Sequence, residues 1–79
     1  MSIQVSYYGM LAEITGQANE VWMSDQSLTV GDFRNQIIER YPAMREKKFK
    51  IAVDQKIAQD YVSIDNASEI ALLPPFAGG

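Results

Sequence analysis

The chain carries ten Asp and Glu residues but not one Cys or His. Without Cys there is no thiol to act as nucleophile, no thiolate to ligate a metal and no disulfide to staple a fold. Without His the commonest general base, the commonest zinc ligand and the ordinary serine triad are all missing. Self-sufficient catalysis would therefore fall to carboxylates. Glu13, Glu20, Asp25, Asp54, Asp60, Asp65 and Glu69 are scattered among turns and strand ends. No spacing brings two of them together, and they read as solvated surface. Oxygen ligands alone would suit Mg²⁺ or Ca²⁺, but no calcium-loop spacing is present, so no metal is expected. Gly9, Gly16 and Gly31 stand singly and form no phosphate-cradling loop. Trp22 and the tyrosines read as core or sheet surface rather than as a platform for a ligand.

The remaining candidate for chemistry is the closing stretch "PPFAGG", Pro74 to Gly79. A frayed end is the simplest reading of such a segment. A tag remnant fits poorly, because no tag or protease site surrounds it. The third reading makes the α-carboxylate of Gly79 the functional group. A C-terminal carboxylate, with an ordinary pKa of roughly 3.3–3.7, is ionised at neutral pH and a poor electrophile. It must be activated before a nucleophile can attack it, for instance as an acyl-adenylate formed with ATP. Gly78 and Gly79 give the narrowest possible peptide for a confined cleft, and a Cβ at either position is expected to clash there. Six residues from Pro74 reach at most ~20 Å, enough to enter a partner's buried site. Pro74 and Pro75 stiffen the stem and lower the entropy lost on ordering it. Phe76, followed by Ala77, would anchor the tail at the mouth of the channel.

Such a tail needs a rigid body behind it. "IQVSYY" alternates Ile3, Val5 and Tyr7 with Gln4, Ser6 and Tyr8, the pattern of a half-buried strand. "MLAEITG" predicts one or two helical turns stopped by Gly16. "NEVWM" predicts a second strand, and "SDQS" the turn after it. Thr29 is a good helix N-cap with Asp32 three residues on, a capping-box spacing near the positive end of the helix dipole. Val30, Phe33, Ile37, Ile38 and Tyr41 then recur at helical spacing as one apolar stripe. Pro42 sets the end of this helix, about 20 Å long, at Tyr41. "FKIAV" predicts a third strand, "DQ" a tight turn into a short strand "KIA", "DNAS" a further turn, and "EIALL" a last strand stopped by Pro74. The order predicts an α+β fold of two layers, a sheet covered on one face by one long helix. Spacing does not give the order of strands in the sheet.

Seventy-nine residues and an ordinary hydrophobic content of 47% predict a single domain, residues 1–79, with a flexible tail over 74–79. The absence of any ~18-residue apolar run and of a signal-peptide pattern predicts a cytoplasmic protein with no membrane partner. A net charge of −3 makes nucleic acid a poor partner. Arg45, Lys47, Lys48 and Lys50 nevertheless sit close together. They read as a solvated loop after the helix, or alternatively as a docking patch for an acidic partner.

Over essentially its whole length the chain resembles the small, sulfur-carrying subunits of molybdopterin synthase, which are ubiquitin-like β-grasp proteins. The resemblance is carried by "VSYYGMLAEITG", "LTVGDFRNQIIERYPAM", "IAVDQK" and, most specifically, "EIALLPPFAGG". The double glycine is shared with the thiamine-pathway sulfur carrier and with ubiquitin-like modifiers. A Pro–Pro two residues before it favours the molybdopterin branch. Three positions depart from the family pattern: Ala12 where an Arg often precedes Glu13, Asp54 where Asn is usual, and Ala67–Ser68 where Gly–Asp is usual.

The resemblance implies a β-grasp fold of about five strands in a mixed sheet on one main helix. It implies that an E1-like enzyme adenylates the Gly79 carboxylate with ATP and that a sulfur donor converts it to a thiocarboxylate. The tail would then enter the large subunit of the synthase, in a heterotetramer, and deliver sulfur to a pterin precursor. The chain would bind no stable cofactor and would not be an enzyme by itself. Pro74, Pro75, Phe76 and Ala77, with a sheet face near Tyr7 and Leu72, would meet the partner. The alternatives are a carrier for the thiamine pathway, a protein modifier joined to lysines through Gly79, and an interaction domain with an idle tail.

Overall fold

A computed structural model describes residues 2–65 and 69–75. Five strands and two α-helices follow one another as β1 (Ser2–Tyr7), α1 (Met10–Thr15), β2 (Asn19–Met23), α2 (Val30–Arg40), β3 (Lys50–Val53), β4 (Lys56–Ile57) and β5 (Glu69–Leu73). The sheet order is β2-β1-β5-β3-β4. β1 and β5 lie side by side and parallel in its middle, and the other pairings are antiparallel. With α2 across one face, this is the layout of a ubiquitin-like β-grasp.

Alternation within the strands builds the core. Ile3, Val5 and Tyr7 on β1, Trp22 on β2, Ile51 on β3, and Ile70 and Leu72 on β5 all point to the helix side. From α2, Val30, Phe33 and Ile37 meet them, while Ile38 and Tyr41 pack at the margin. Trp22 packs edge-on to Phe33 with ring centroids 5.2 Å apart. Its indole N–H donates to Gln36 Oε1 at 3.0 Å, so this bulky residue is buried without an orphaned polar atom.

The helix ends follow the expected chemistry. The Thr29 hydroxyl accepts from the Asp32 N–H at 3.1 Å, and the Asp32 carboxylate accepts from the Thr29 N–H at 3.0 Å, a reciprocal capping box. Gly16 closes α1 in the left-handed region at φ 78°. The β3–β4 turn places Asp54 and Gln55 at φ 47° and 74°, the two positive values a type I′ hairpin demands. Asp54 Oδ1 also accepts from the Glu69 N–H at 2.9 Å, which ties the hairpin to the start of β5. The segment after α2 differs from the expected open loop. Pro42–Glu46 forms a 3₁₀ helix with Pro42 in its first turn, and Met44 is fully buried beneath it. The turn expected over "DNAS" extends through residues 66–68, including Ala67–Ser68, which lie outside the described residues.

Candidate functional site

The last strand delivers the tail to one end of the sheet. Tyr8 N–H donates to Leu72 C=O at 3.2 Å, and Leu73 pairs in register with Lys50 on β3. Pro74 has no N–H to extend the ladder, which stops there. Gly9 lies against Pro74: a Cβ on Gly9 would meet Pro74 Cγ at 3.2 Å. Gly9 also has φ 57° and ψ −134°, and Leu11 N–H donates to Tyr8 C=O at 3.1 Å across it. These are the marks of a type II′ turn, whose first central position takes glycine. One residue thus turns the chain from β1 into α1 and leaves room for the stem of the tail. Pro74 is half-buried and Pro75 exposed. Phe76, Ala77, Gly78 and Gly79, which carry the proposed anchor and reactive group, lie outside the described residues.

Tyr7 and Leu72 are not on a partner-facing surface. They are 3% and 0% exposed and face α2. Tyr7 instead anchors a polar cluster at the edge of the core. Its hydroxyl donates to Glu20 Oε1, and the Tyr41 hydroxyl donates to the same oxygen at 2.9 Å. Gln17 Nε2 donates to the Tyr41 hydroxyl at 3.0 Å, and Arg40 Nη2 lies 3.6 Å from Glu20 Oε2. Burial first, and then the Glu20 carboxylate it bonds, push the Tyr7 hydroxyl above the ordinary phenol range. It therefore stays a donor throughout the physiological range.

The neighbours of Tyr7 and Leu72 in opposite phase form the open face. Tyr8 is 49% exposed and Leu73 half-buried, beside the root of the tail. A row of Ser6, Ala71, Ala52 and Ile57 crosses this face, with small side chains at its centre and exposed Ile57 at its edge. Sequence reasoning missed Tyr8 and Leu73 although the alternation contained them: they fall between the core positions.

Four of the scattered carboxylates, Glu20, Asp54, Asp60 and Asp65, bond within the fold. Asp65 Oδ1 accepts from the Leu28 N–H at 2.9 Å, and that bond, ahead of its Ser27 and Ser63 contacts, holds its carboxyl below the usual range. Asp60 lies 3.4 Å from Arg34 Nε, and its backbone C=O accepts from the Gly31 N–H at 2.9 Å, so its loop caps the start of α2. Gly31 eases that approach: a Cβ there would stand 3.2 Å from Asp60 Cβ and 3.3 Å from its carbonyl oxygen, so the loop would have to give by a few tenths of an ångström. Among the described residues, no group of three or more carboxylates gathers into a metal-binding arrangement. A shallow hollow lined by Ser24, Asp25, Gln26, Ser27 and Asp65 lies near the N-terminal end of α2, away from the tail.

Comparison with known proteins places these features in context. The ThiS family profile matches residues 5–79. A molybdopterin synthase sulfur carrier subunit of Caenorhabditis elegans is 32% identical over 83 residues, covering 100% of this chain and 99% of that protein. Among solved structures, SAMP1 of Haloferax volcanii superposes with a TM-score of 0.79 at 24% identity over 100% of both chains. A chain from the complex of subunits 1 and 2 of the molybdopterin-converting factor of Helicobacter pylori superposes with a TM-score of 0.67 at 21% identity, again over 100% of both.

Proposed function

The chain belongs to the ThiS family, and from that premise we propose that it is the sulfur-carrier subunit of molybdopterin synthase, acting through the α-carboxylate of Gly79. The observation that carries this reading is the full-length similarity to a molybdopterin synthase sulfur carrier subunit, together with a family match that runs through residue 79. The ladder's end at Leu73 supports it: six residues, Pro74 to Gly79, follow the last strand and can reach ~20 Å.

The cycle begins when an E1-like enzyme brings the Gly79 carboxylate against ATP. A carboxylate oxygen attacks the α-phosphorus and pyrophosphate leaves, giving an acyl-adenylate. A donor supplying sulfur at the level of hydrosulfide attacks the acyl carbon and AMP departs, leaving a thiocarboxylate. The tail then enters the large subunit, passes its sulfur to a pterin precursor and returns as a carboxylate with an oxygen from water. The chain itself supplies reach, minimal bulk and a leaving group. The catalytic groups belong to its partners, so it is not an enzyme by itself. No side-chain thiol or imidazole is required, which makes a chain lacking Cys and His intelligible.

The large subunit is the expected docking partner, in a heterotetramer, in line with the subunit complex to which the Helicobacter chain belongs. Contact would run from Pro74, Pro75, Phe76 and Ala77 onto Tyr8 and Leu73 of the open face. The site of action would be the cytoplasm.

The test is intact mass spectrometry after incubation with ATP, the E1-like enzyme and a sulfur donor. A gain equal to exchanging one oxygen for one sulfur is expected, and its absence refutes the carrier reading. High-mass conjugates lost on deletion of Gly79 would establish a protein modifier instead. Adding the large subunit and precursor, and assaying dithiolene product, separates the molybdopterin branch from the thiamine branch.

A further inference from the structure

The chain is electrically lopsided. Residues 45–50 hold Arg45, Lys47, Lys48 and Lys50 against one anion, Glu46, a local balance of +3. The whole chain is −3, so the remaining residues carry −6. Two of the other basic residues are committed to the fold. Arg34 donates to Phe49 C=O at 2.9 Å, pairs with Asp60 and lies over the Phe49 ring, and Arg40 pairs with Glu20 over the Trp22 ring. Arg45, Lys47, Lys48 and Lys50 are all exposed, and among the described residues none of them makes an ion pair.

Topology puts this cluster beside the tail. β3 begins at the end of the sheet where β5 finishes, and Lys50 is the register partner of Leu73, the last residue before Pro74. Paired Cα atoms of antiparallel strands stand about 5 Å apart. The 3₁₀ helix bearing Arg45 packs against α1, which starts just beyond Gly9 at the same end. Lys56 is different: it follows the β3–β4 turn at the opposite end of β3.

We propose that Arg45, Lys47, Lys48 and Lys50 form a cationic collar at the root of the tail, and that it docks onto an acidic protein surface bordering the tail's entrance on the adenylating partner. The inference rests on the carrier reading above. An anionic chain with an anionic tail must approach a site that holds a nucleotide triphosphate, and its net charge opposes that approach. A positive end at the root of the tail turns the repulsion into steering, since the negative charge elsewhere on the chain disfavours other docking orientations. Screening acts over ~10 Å at 0.1 M salt, so the effect belongs to the association rate and is sensitive to ionic strength.

The test is stopped-flow association of the full chain with its E1-like adenylating enzyme. Lys48→Glu and Lys56→Glu change the net charge equally, one inside the collar and one at the far end of the sheet. Circular dichroism and thermal melts first confirm that the variants fold. At about 50 mM salt, Lys48→Glu is expected to slow association about fivefold and the double variant K47E/K48E tenfold or more, with Lys56→Glu within about twofold of wild type. The gap between wild type and K47E/K48E should close toward about 0.5 M salt. Equal effects at Lys48 and Lys56, or salt-independent association of the wild type, overturn the proposal. So does a duplex oligonucleotide that the wild type shifts in a gel and K47E/K48E does not, because the collar would then serve nucleic acid. Salt-dependent association without acyl-adenylate formation would refute the carrier reading and leave the collar standing. Adenylation with salt-independent association would refute the collar alone.

Discussion

Replacing Gly9 by Ala tests the link between the β1–α1 turn and the tail. Two costs add at this position. The backbone sits at φ 57° and ψ −134°, a conformation essentially reserved for glycine, and an L-residue there stores on the order of 1–3 kcal/mol. The new Cβ would stand 3.2 Å from Pro74 Cγ, so the proline ring must give by a few tenths of an ångström. About 2 kcal/mol of destabilisation is expected, a fall in Tm of roughly 8–16 °C for a domain of this size. Gly16→Ala is the matched control. Gly16 also has a positive φ, 78°, but nothing lies within 4 Å of its added Cβ, so its cost is about 1 kcal/mol of backbone strain alone. The decisive assay pairs urea unfolding with the rate of sulfur transfer at a temperature where both variants are fully folded. Gly9→Ala should slow transfer because it displaces the stem of the tail, and Gly16→Ala should not. Pro74→Ala in the Gly9→Ala background removes the contacting Cγ and should recover part of the stability, a coupling a double-mutant cycle can read. If Gly9→Ala unfolds within 0.5 kcal/mol of wild type, as is usual for neutral surface changes, the turn geometry argued above is wrong.

Three further outcomes are expected. Tyr7→Phe removes a phenol donor from the partly buried Glu20 carboxylate and should cost about 1.5–3 kcal/mol in denaturant unfolding; a loss below 0.5 kcal/mol would mean that Tyr41 and Arg40 satisfy Glu20 unaided. Asp65 has its carboxyl held below the ordinary value of 3.8, so its contribution is present above that pH and is lost as pH falls through the lowered folded value. Wild type should therefore exceed Asp65→Asn in stability at neutral pH, with the difference shrinking in acid titration below about pH 4; a difference that grows in acid would contradict the Leu28 N–H bond as its cause. Appending one residue after Gly79 should leave the melting curve unchanged and abolish sulfur transfer, and surviving transfer would show that a free Gly79 carboxylate is not the reactive group.

Local chemistry was the legible part of the sequence. The Thr29–Asp32 capping box and the Gly16 C-cap depend on a few adjacent residues and form as their types dictate, and the Asp54–Gln55 turn forms where expected although it holds Gln55 at φ 74°, where glycine is usual. Strand order was hidden because β1 and β5 are separated by most of the chain, and no periodicity within either records that they pair in parallel. The 3₁₀ helix was missed because its cue, Pro42, marks both an end and a beginning, while Met44 is directly followed by a charged run that reads as solvated. Tyr7 and Leu72 were misplaced against the sequence's own phase. Tyr7 alternates in step with Ile3 and Val5, and Leu72 in step with Ile70, so burial was written into both. The apolar base of the tail and the family resemblance suggested a surface role that the period of two denies.

The parallel β1–β5 pairing has a mechanical consequence. On the proposed carrier reading, a tail drawn into a partner and withdrawn again would pull on the end of β5, which is bonded on both sides, to β1 and to β3. A load along that strand would fall in shear on the ladders of both neighbours, whereas a tail springing from an edge strand such as β4 would load one ladder only. The sheet that presents the tail is thus also braced against the traction that such use would apply.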